Sequence, residues 1–325
     1  MISSDTIVAL SSGAPPSGVA VIRLSGPSTK DLLCAVAGPL PPPRQLTLRP
    51  IGTETVLDRG LIVFFPAPHS FTGEDCAELQ VHGSPAGVRA ILKLLTHLGA
   101  RLAEAGEFTR RAFENGKLDL VEIEGLGDLL EAETENQRRQ ALARFEGGLS
   151  QQVDAWRNQL LDLRAEIEAR LDFSDEGDVD EALPPSFADA ISALRLQLET
   201  ALASVEHGRI TREGIRVALA GAPNAGKSSL INALARSDIA IVTDEAGTTR
   251  DVREVPLDIA GQLYILLDLA GLRDTDSKAE AEGIRRARSA IETADILLWL
   301  TAPDVADVAL PAWRKDSAGR APPLA

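Results

Sequence analysis

Apolar positions follow three different rhythms along this chain. Up to about residue 117 they fall in short, β-branched runs separated by Gly, Pro and Ser. TIVAL (6–10), VAVIRL (19–24), GLIVFF (60–65) and AELQVH (77–82) predict strands. SPAGVRAILKLLTHLG predicts a helix, with Ser84 as N-cap, Pro85 at the first helical position and Gly99 as its end. This block, residues 1–117, is expected to be α+β.

Residues 118–210 change to a helical period. Leu142, Phe145, Leu149, Val153, Trp156, Leu160, Leu163, Ile167 and Leu171 recur at steps of three and four, the stripe of one long helix. An acidic loop, DFSDEGDVDEALPP, closes at Pro184 and Pro185, and Ile191, Leu194, Leu198, Ala201 and Val205 form a second stripe. A helical hairpin or part of a bundle follows, with both stripes expected in its core. Residues 211–325 alternate again. IRVALA predicts a buried strand, SSLINALA a helix, and VREVPLDI with LYILLDL a hairpin turning at Gly261. GIRRARSAIETA predicts a helix and DILLWL another buried strand. Such alternation indicates an α/β sheet.

Length and composition change this picture little. At 325 residues, 44% hydrophobic and 25% charged, the chain has material for two or three cores. No apolar run reaches the roughly 18–20 residues of a membrane span. MISSDTIVALSSG has no basic stretch ahead of its apolar one, so it does not read as a secretory leader. Cys34 and Cys76 form no CxxC pair, which fits a reducing cytoplasm and argues against a zinc or disulfide framework. The net charge of −15 argues against nucleic acid being gripped by this chain alone, because phosphate binding runs on Lys and Arg.

The chemistry concentrates at GAPNAGKSSL (221–230). Gly221 to Ser228 match GxxxxGK[ST], after a predicted strand and opening a predicted helix. Glycines let backbone N–H groups turn toward phosphate oxygens, and the helix start adds partial positive charge. Lys227 is expected on the β- and γ-phosphates and the Ser228 hydroxyl on Mg²⁺. Downstream, VTDEAGTTRD (242–251) offers paired threonines, one of which, Thr249, completes the Mg²⁺ shell when a γ-phosphate is present. LLDLAG ends a strand at Asp268, placed to reach Mg²⁺ through water, and Gly271 can sense the γ-phosphate through its backbone. The ordered set favours a GTPase switch over a generic ATPase. Leu272 stands where many switch GTPases carry the glutamine that orients water, so that function must come from elsewhere.

DTIVAL, GVAVIRLSGP, SFTGED-x-x-ELQ-x-HG, GEFT-x-RAF-x-NGKLDL, REGI-x-V-x-x-AG-x-PNAGKSSL-x-NAL and AIVTD-x-AGTTRDV resemble, in order and over nearly the whole chain, the tRNA-modification GTPase family MnmE, also called TrmE. The resemblance implies a multidomain protein. Its parts are an α+β folate-binding-type N-terminal domain (1–117) that also dimerises, a partial α-helical middle domain (118–210) and an incomplete α/β P-loop G domain (211–325). Arg23, Glu78 and Lys117 match the family's contacts to 5-formyltetrahydrofolate. The nucleotide is expected on Asn224, Ala225, Gly226, Lys227, Ser228 and Ser229. It is also expected on Thr243, Asp244, Glu245, Ala246, Gly247, Thr248 and Thr249, and on Asp268, Leu269, Ala270 and Gly271.

The same resemblance implies potassium-activated hydrolysis in place of an arginine finger. Asn224, Thr243, Glu245 (through its backbone) and Thr248 would hold K⁺, and Glu280 would orient the water that Leu272 cannot. Glu280 and Lys227 are the implied catalytic residues. The implied role is GTP hydrolysis coupled to a 5-carboxymethylaminomethyl group on wobble uridine 34 of tRNA. It is performed in the cytoplasm as a homodimer with an MnmG (GidA) flavoprotein partner. Two departures stand out. The family's DTAG is DLAG here, through Leu269, and after DILLWL the family's NKxD, remaining bundle helices and terminal C-x-G-K do not follow, so the chain reads as truncated or frameshifted. The alternatives are a regulatory or ribosome-assembly switch without RNA chemistry, and an inactive truncated product.

Overall fold

The computed structural model describes residues 5–172, 182–221, 225–241, 253–268 and 293–302. They divide into two compact units, Met1–Ile123 and Glu124–Ala325.

The first unit is built on strands β1 (Ile7–Leu10), β2 (Ser17–Ser25), β3 (Thr47–Gly52), β4 (Val56–Phe65), β5 (Cys76–Gly83) and β6 (Arg101–Leu102). They lie in the order β3-β4-β5-β2-β1-β6. Every pairing is antiparallel except β1 with β6. Alternation along β2 turns Ala20, Ile22 and Leu24 to one face, where they are fully buried with Leu79 of β5 and Phe64 of β4. Helices α1 (Thr29–Ala37) and α2 (Pro85–His97) contribute Leu33, Val36, Ile91 and Leu95 to the same core. Helix α2 starts as expected. The Ser84 hydroxyl accepts from the Gly87 N–H, and Pro85 takes the first helical position, where a missing N–H costs nothing. The other face of β2 carries Val21, Arg23 and Ser25. Strand β3 was not predicted, because Pro50 interrupts its run; it is tolerated because β3 lies at the sheet edge. Helix α3 (Glu107–Glu114) follows β6.

Helix α4 (Leu120–Glu131) leads into the second unit, followed by α5 (Glu135–Phe145), α6 (Gly148–Asp172) and α7 (Pro185–Glu213). A capping box starts α5: Thr134 and Gln137 each bond the other's backbone N–H. The single helix expected from Leu142 to Leu171 is therefore two. Gly147 sits at φ 80°, a conformation that L side chains avoid, and the chain turns there although the apolar spacing continues. The expectation that both stripes are core is also corrected. No residue of α6 is buried, Leu160 is 60% exposed and Leu171 72%. On α7 only Leu194 is buried, while Ile191 and Val205 are exposed. Two helices lying together shield only part of the seam between them, and no further described element covers their outer flanks.

Helix α7 passes through Gly214 into a four-stranded sheet of β7 (Ile215–Gly221), β8 (Arg253–Ile259), β9 (Gln262–Asp268) and β10 (Ile296–Leu300), in the order β10-β7-β9-β8. Strand β7 is parallel to both neighbours, and the hairpin β8–β9 is antiparallel. Both faces of β7 are covered: Val217 and Leu219 pack with Ile231 on one side, Ala218 and Ala220 with Leu297 on the other. That is why IRVALA reads as a continuous apolar run. Helix α8 (Lys227–Leu234) supplies Ile231, and Pro256 is accommodated because β8 is an edge strand. No helix among the described residues is long and apolar enough to cross a membrane.

Candidate functional sites

The first candidate site is local in sequence. Strand β7 ends at Gly221, whose φ is 144° and whose added Cβ would lie 2.2 Å from the Leu300 carbonyl oxygen. Only glycine lets β7 and β10 approach so closely there. Gly226 takes the left-handed conformation, φ 87°, and α8 begins at the next residue. Lys227 thus stands in the first turn with Ser228 and Ser229, both exposed, and Ala225 ahead of them is buried. The Lys227 ammonium donates to the Gly221 carbonyl at 2.7 Å, linking the first residue of α8 to the last residue of β7. This is the strand–loop–helix that a phosphate chain requires, and the exposed Ser228 hydroxyl in the first turn suits Mg²⁺. Asp268 closes β9 beside Leu219 of β7, so its backbone lies one strand away from the loop.

Asn224, Thr243, Asp244, Glu245, Ala246, Gly247, Thr248, Thr249, Leu269, Ala270, Gly271 and Glu280 lie outside the described residues.

The second candidate site is assembled from distant segments of the first unit. Arg23 on β2 and Glu78 on β5 are direct register partners. Arg23 donates Nε–H (3.0 Å) and Nη2–H (2.8 Å) to Glu78 Oε1. The Arg23 guanidinium also lies over the rings of Phe71, 5.2 Å from the centroid, and Phe108, 5.8 Å. Lys117 is exposed, and its stem crosses Gly73: a Cβ on Gly73 would meet Lys117 Cγ at 3.1 Å, and Gly73 sits at φ 80°. Asn115 Nδ2 donates to the Thr72 carbonyl at 2.7 Å and ties the two segments together. The structure therefore brings Arg23 and Glu78 together, and links Lys117 to the segment that carries Phe71.

Beneath this group lies a buried polar network that sequence reasoning did not single out, although SFTGED and GEFT-x-RAF contain most of it. Arg111, 2% exposed, donates to Asp5 Oδ1 (2.7 Å), Glu74 Oε2 (3.2 Å) and Glu107 Oε1 (3.1 Å). Burial works against its charge, but Glu74, Glu107 and Asp5 outweigh that and hold its pKa above the ordinary value. Glu107 also accepts from Arg101, whose hydrogen bonds are the main reason its carboxyl drops to about 2 against the cost of burial. The Ser25 hydroxyl donates to Glu74 Oε2 and shares a 2.7 Å hydrogen bond with Thr72.

Comparison with known proteins agrees with the geometry. Residues 6–117 match the family model "GTP-binding protein TrmE N-terminus", and residues 120–306 match the "MnmE helical domain". The tRNA modification GTPase MnmE of Rhizobium johnstonii is 56% identical over 304 residues, which is 91% of this chain and 68% of that relative. Its counterpart in Azorhizobium caulinodans is 56% identical over 92% of this chain and 70% of the relative. The protein of the same name in Caulobacter vibrioides is 52% identical over 91% and 67%. Against the G domain of the T. maritima FeoB iron transporter the chain is 30% identical over 27% of its length, with a TM-score of 0.19, too low to bear on the fold. The motif of the first site and these matches over nine-tenths of the chain agree: the chain belongs to the tRNA modification GTPase MnmE family.

Proposed function

We propose that this chain hydrolyses GTP to drive formation of the 5-carboxymethylaminomethyl group on wobble uridine 34 of tRNA, together with a flavoprotein of the MnmG type. The observation that carries the reading is the loop from Gly221 to Ser228, closed by the Lys227–Gly221 contact, in a chain of this family. A bound β/γ-phosphate competes with the Gly221 carbonyl for the Lys227 ammonium, and the N–H groups at the start of α8 take its oxygens. Ser228 and Thr249, with Asp268, would hold Mg²⁺, which would neutralise charge on the phosphates. Asn224, Thr243, the Glu245 backbone and Thr248 would hold potassium, which would supply the positive charge that an arginine finger supplies elsewhere. Glu280 orients the attacking water. That water bonds to the γ-phosphorus while the bond to the β-phosphate oxygen breaks, leaving GDP and inorganic phosphate. Asp244, Ala246, Gly247, Leu269, Ala270 and Gly271 complete the nucleotide's surroundings.

The N-terminal part supplies the one-carbon unit on this reading. A tetrahydrofolate such as the 5-formyl form fits the donor set around Arg23. Glu78 accepts from pterin N–H groups, Phe71 and Phe108 offer ring faces, and Arg23 and Lys117 meet carbonyl or carboxylate oxygens. The folate, when bound, provides the carbon at the oxidation level of its substituent. Residues 1–117, 118–210 and 211–325 act as the folate-binding, helical and G parts. The N-terminal parts pair into a homodimer, for which the exposed register partners Leu48 and Leu61 offer apolar surface. The net charge of −15 leaves most tRNA contact to the cytoplasmic flavoprotein partner. Mass spectrometry of wobble nucleosides tests the whole reading. A strain deleted for its own enzyme lacks the modified uridine, and this chain restores it; unmodified tRNA wobble uridines in the complemented strain, or normal ones in the deletion, overturn it.

A further inference from the structure

The geometry points to Arg111 and Glu74 as positioning residues for the ligand site around Arg23, a role that rests on the tetrahydrofolate reading and adds to it. The two rings that the Arg23 guanidinium lies over are carried by two separate segments. Phe71 belongs to the segment before β5, and Phe108 to the first turn of α3. Lys117 follows α3 and lies across Gly73 of the first segment. Neither segment is a strand of the sheet, so ladder hydrogen bonds do not fix the position of either ring.

The Arg111 guanidinium fixes both. It grows from α3, one turn beyond Phe108, and Nη1 reaches Glu74 Oε2 at 3.2 Å, three residues beyond Phe71. Nη2 reaches Glu107 Oε1 in the first turn of α3 at 3.1 Å, and Asp5 Oδ1 at 2.7 Å. Nη1 also donates to the Asp5 carbonyl at 3.0 Å, tying both segments to the residues ahead of β1. Glu74 Oε2 is in turn anchored to the sheet itself. It accepts from Ser25 Oγ at 2.7 Å, and Ser25 stands on the same strand and face as Arg23, two residues on. The path from Arg23 to its two aromatic neighbours thus runs Ser25, Glu74, Arg111, α3, with Ser25 fully enclosed, Arg111 2% exposed and the Glu74 side chain 12% exposed. A planar fork with several carboxylate acceptors is a rigid joint, and a lysine, a point charge on a flexible stem, cannot reproduce it. The members of a network of this kind depend on one another, so losing one acceptor moves the others.

The consequence is a binding effect separable from stability. Arg111 and Glu74 lie below the proposed ligand-contacting groups, with side chains 2% and 12% exposed, and altering them displaces Phe71 and Phe108 relative to Arg23. The test is a titration of the full chain with 5-formyltetrahydrofolate, alongside thermal melting, for Glu74→Gln, Arg111→Lys and the sheet-core control Ile91→Val. Glu74→Gln and Arg111→Lys are expected to weaken binding by about 10- to 100-fold, since misplacement by about 1 Å costs that much. Ile91→Val, which lowers the melting temperature without touching the network, leaves binding within about twofold. Glu74→Gln carries the test if Arg111→Lys does not fold. Unchanged binding in Glu74→Gln, or an equal loss in Ile91→Val, overturns the positioning role. Failure of the unaltered chain to bind the folate overturns the reading underneath it, a result distinct from either.

Discussion

The phosphate loop and the Arg23 site are built in opposite ways. The first is contiguous: a strand end, two glycines with special backbone angles and a helix start, with Lys227 closing back onto a carbonyl six residues earlier. The second gathers positions 23, 71, 78, 108 and 117, held by strand register and by a buried guanidinium with three carboxylates. A contiguous site keeps its shape through local backbone rules, so it fails when a glycine or the lysine changes. A dispersed site keeps its shape through tertiary contacts, so it fails when residues far from the ligand change. The two should therefore break independently.

Removing the lysine ammonium separates them most sharply. Lys227→Ala is expected to lower GTP hydrolysis by about 100- to 1,000-fold, with folate binding unchanged, as followed by phosphate release and folate titration. Gly221→Ala acts through the backbone instead. Its new Cβ meets the Leu300 carbonyl oxygen at 2.2 Å and the residue keeps φ 144°, so the sheet of the second unit loses about 2–4 kcal/mol. Differential scanning calorimetry should show that transition falling while the transition of the first unit stays. At the other site, Arg23→Ala removes charge-assisted hydrogen bonding and is expected to weaken folate binding by about 10- to 100-fold, leaving hydrolysis unchanged.

Acid sharpens the same contrast. The Glu107 carboxyl sits at about 2 in the folded unit, below its ordinary 4.5. Its contribution to stability is complete above pH 4.5 and is lost as the pH falls toward 2. The first unit should lose stability across that window, with a shallower fall in Glu107→Gln, read by circular dichroism at stepped pH. The smallest effect is expected on α7, where Leu202 is 71% exposed. Leu202→Ala should change stability by no more than about 0.5 kcal/mol, although it truncates a large apolar side chain. A larger loss in chemical denaturation would mean that something covers that flank.

What the sequence made legible follows from the same difference. The loop at 221–228 could be read directly, because its glycines, lysine and serine sit at fixed spacing, and the strand and helix beside it carry their own apolar signals. Arg23, Glu78 and Lys117 were named only through family resemblance, since nothing local marks them as partners. Phe71, Phe108 and the Arg111 network went unread because their contacts link positions up to 106 residues apart. The helix break at Gly147 was hidden by an apolar spacing that runs through it, and backbone angle overrode periodicity. The stripes of α6 and α7 were read correctly as apolar and wrongly as buried, because spacing reports which face a residue is on and not whether another element covers that face.

The central claim is that this chain uses its phosphate loop as a potassium-activated GTPase of the MnmE family. Phosphate release from GTP should be measured on the chain in matched KCl and NaCl, with Lys227→Ala as the blank. The account predicts hydrolysis well above the blank and about tenfold or more faster in potassium, the effect of a cation beside the β/γ bridge. Equal rates in the two salts, or rates no higher than the blank, would contradict it.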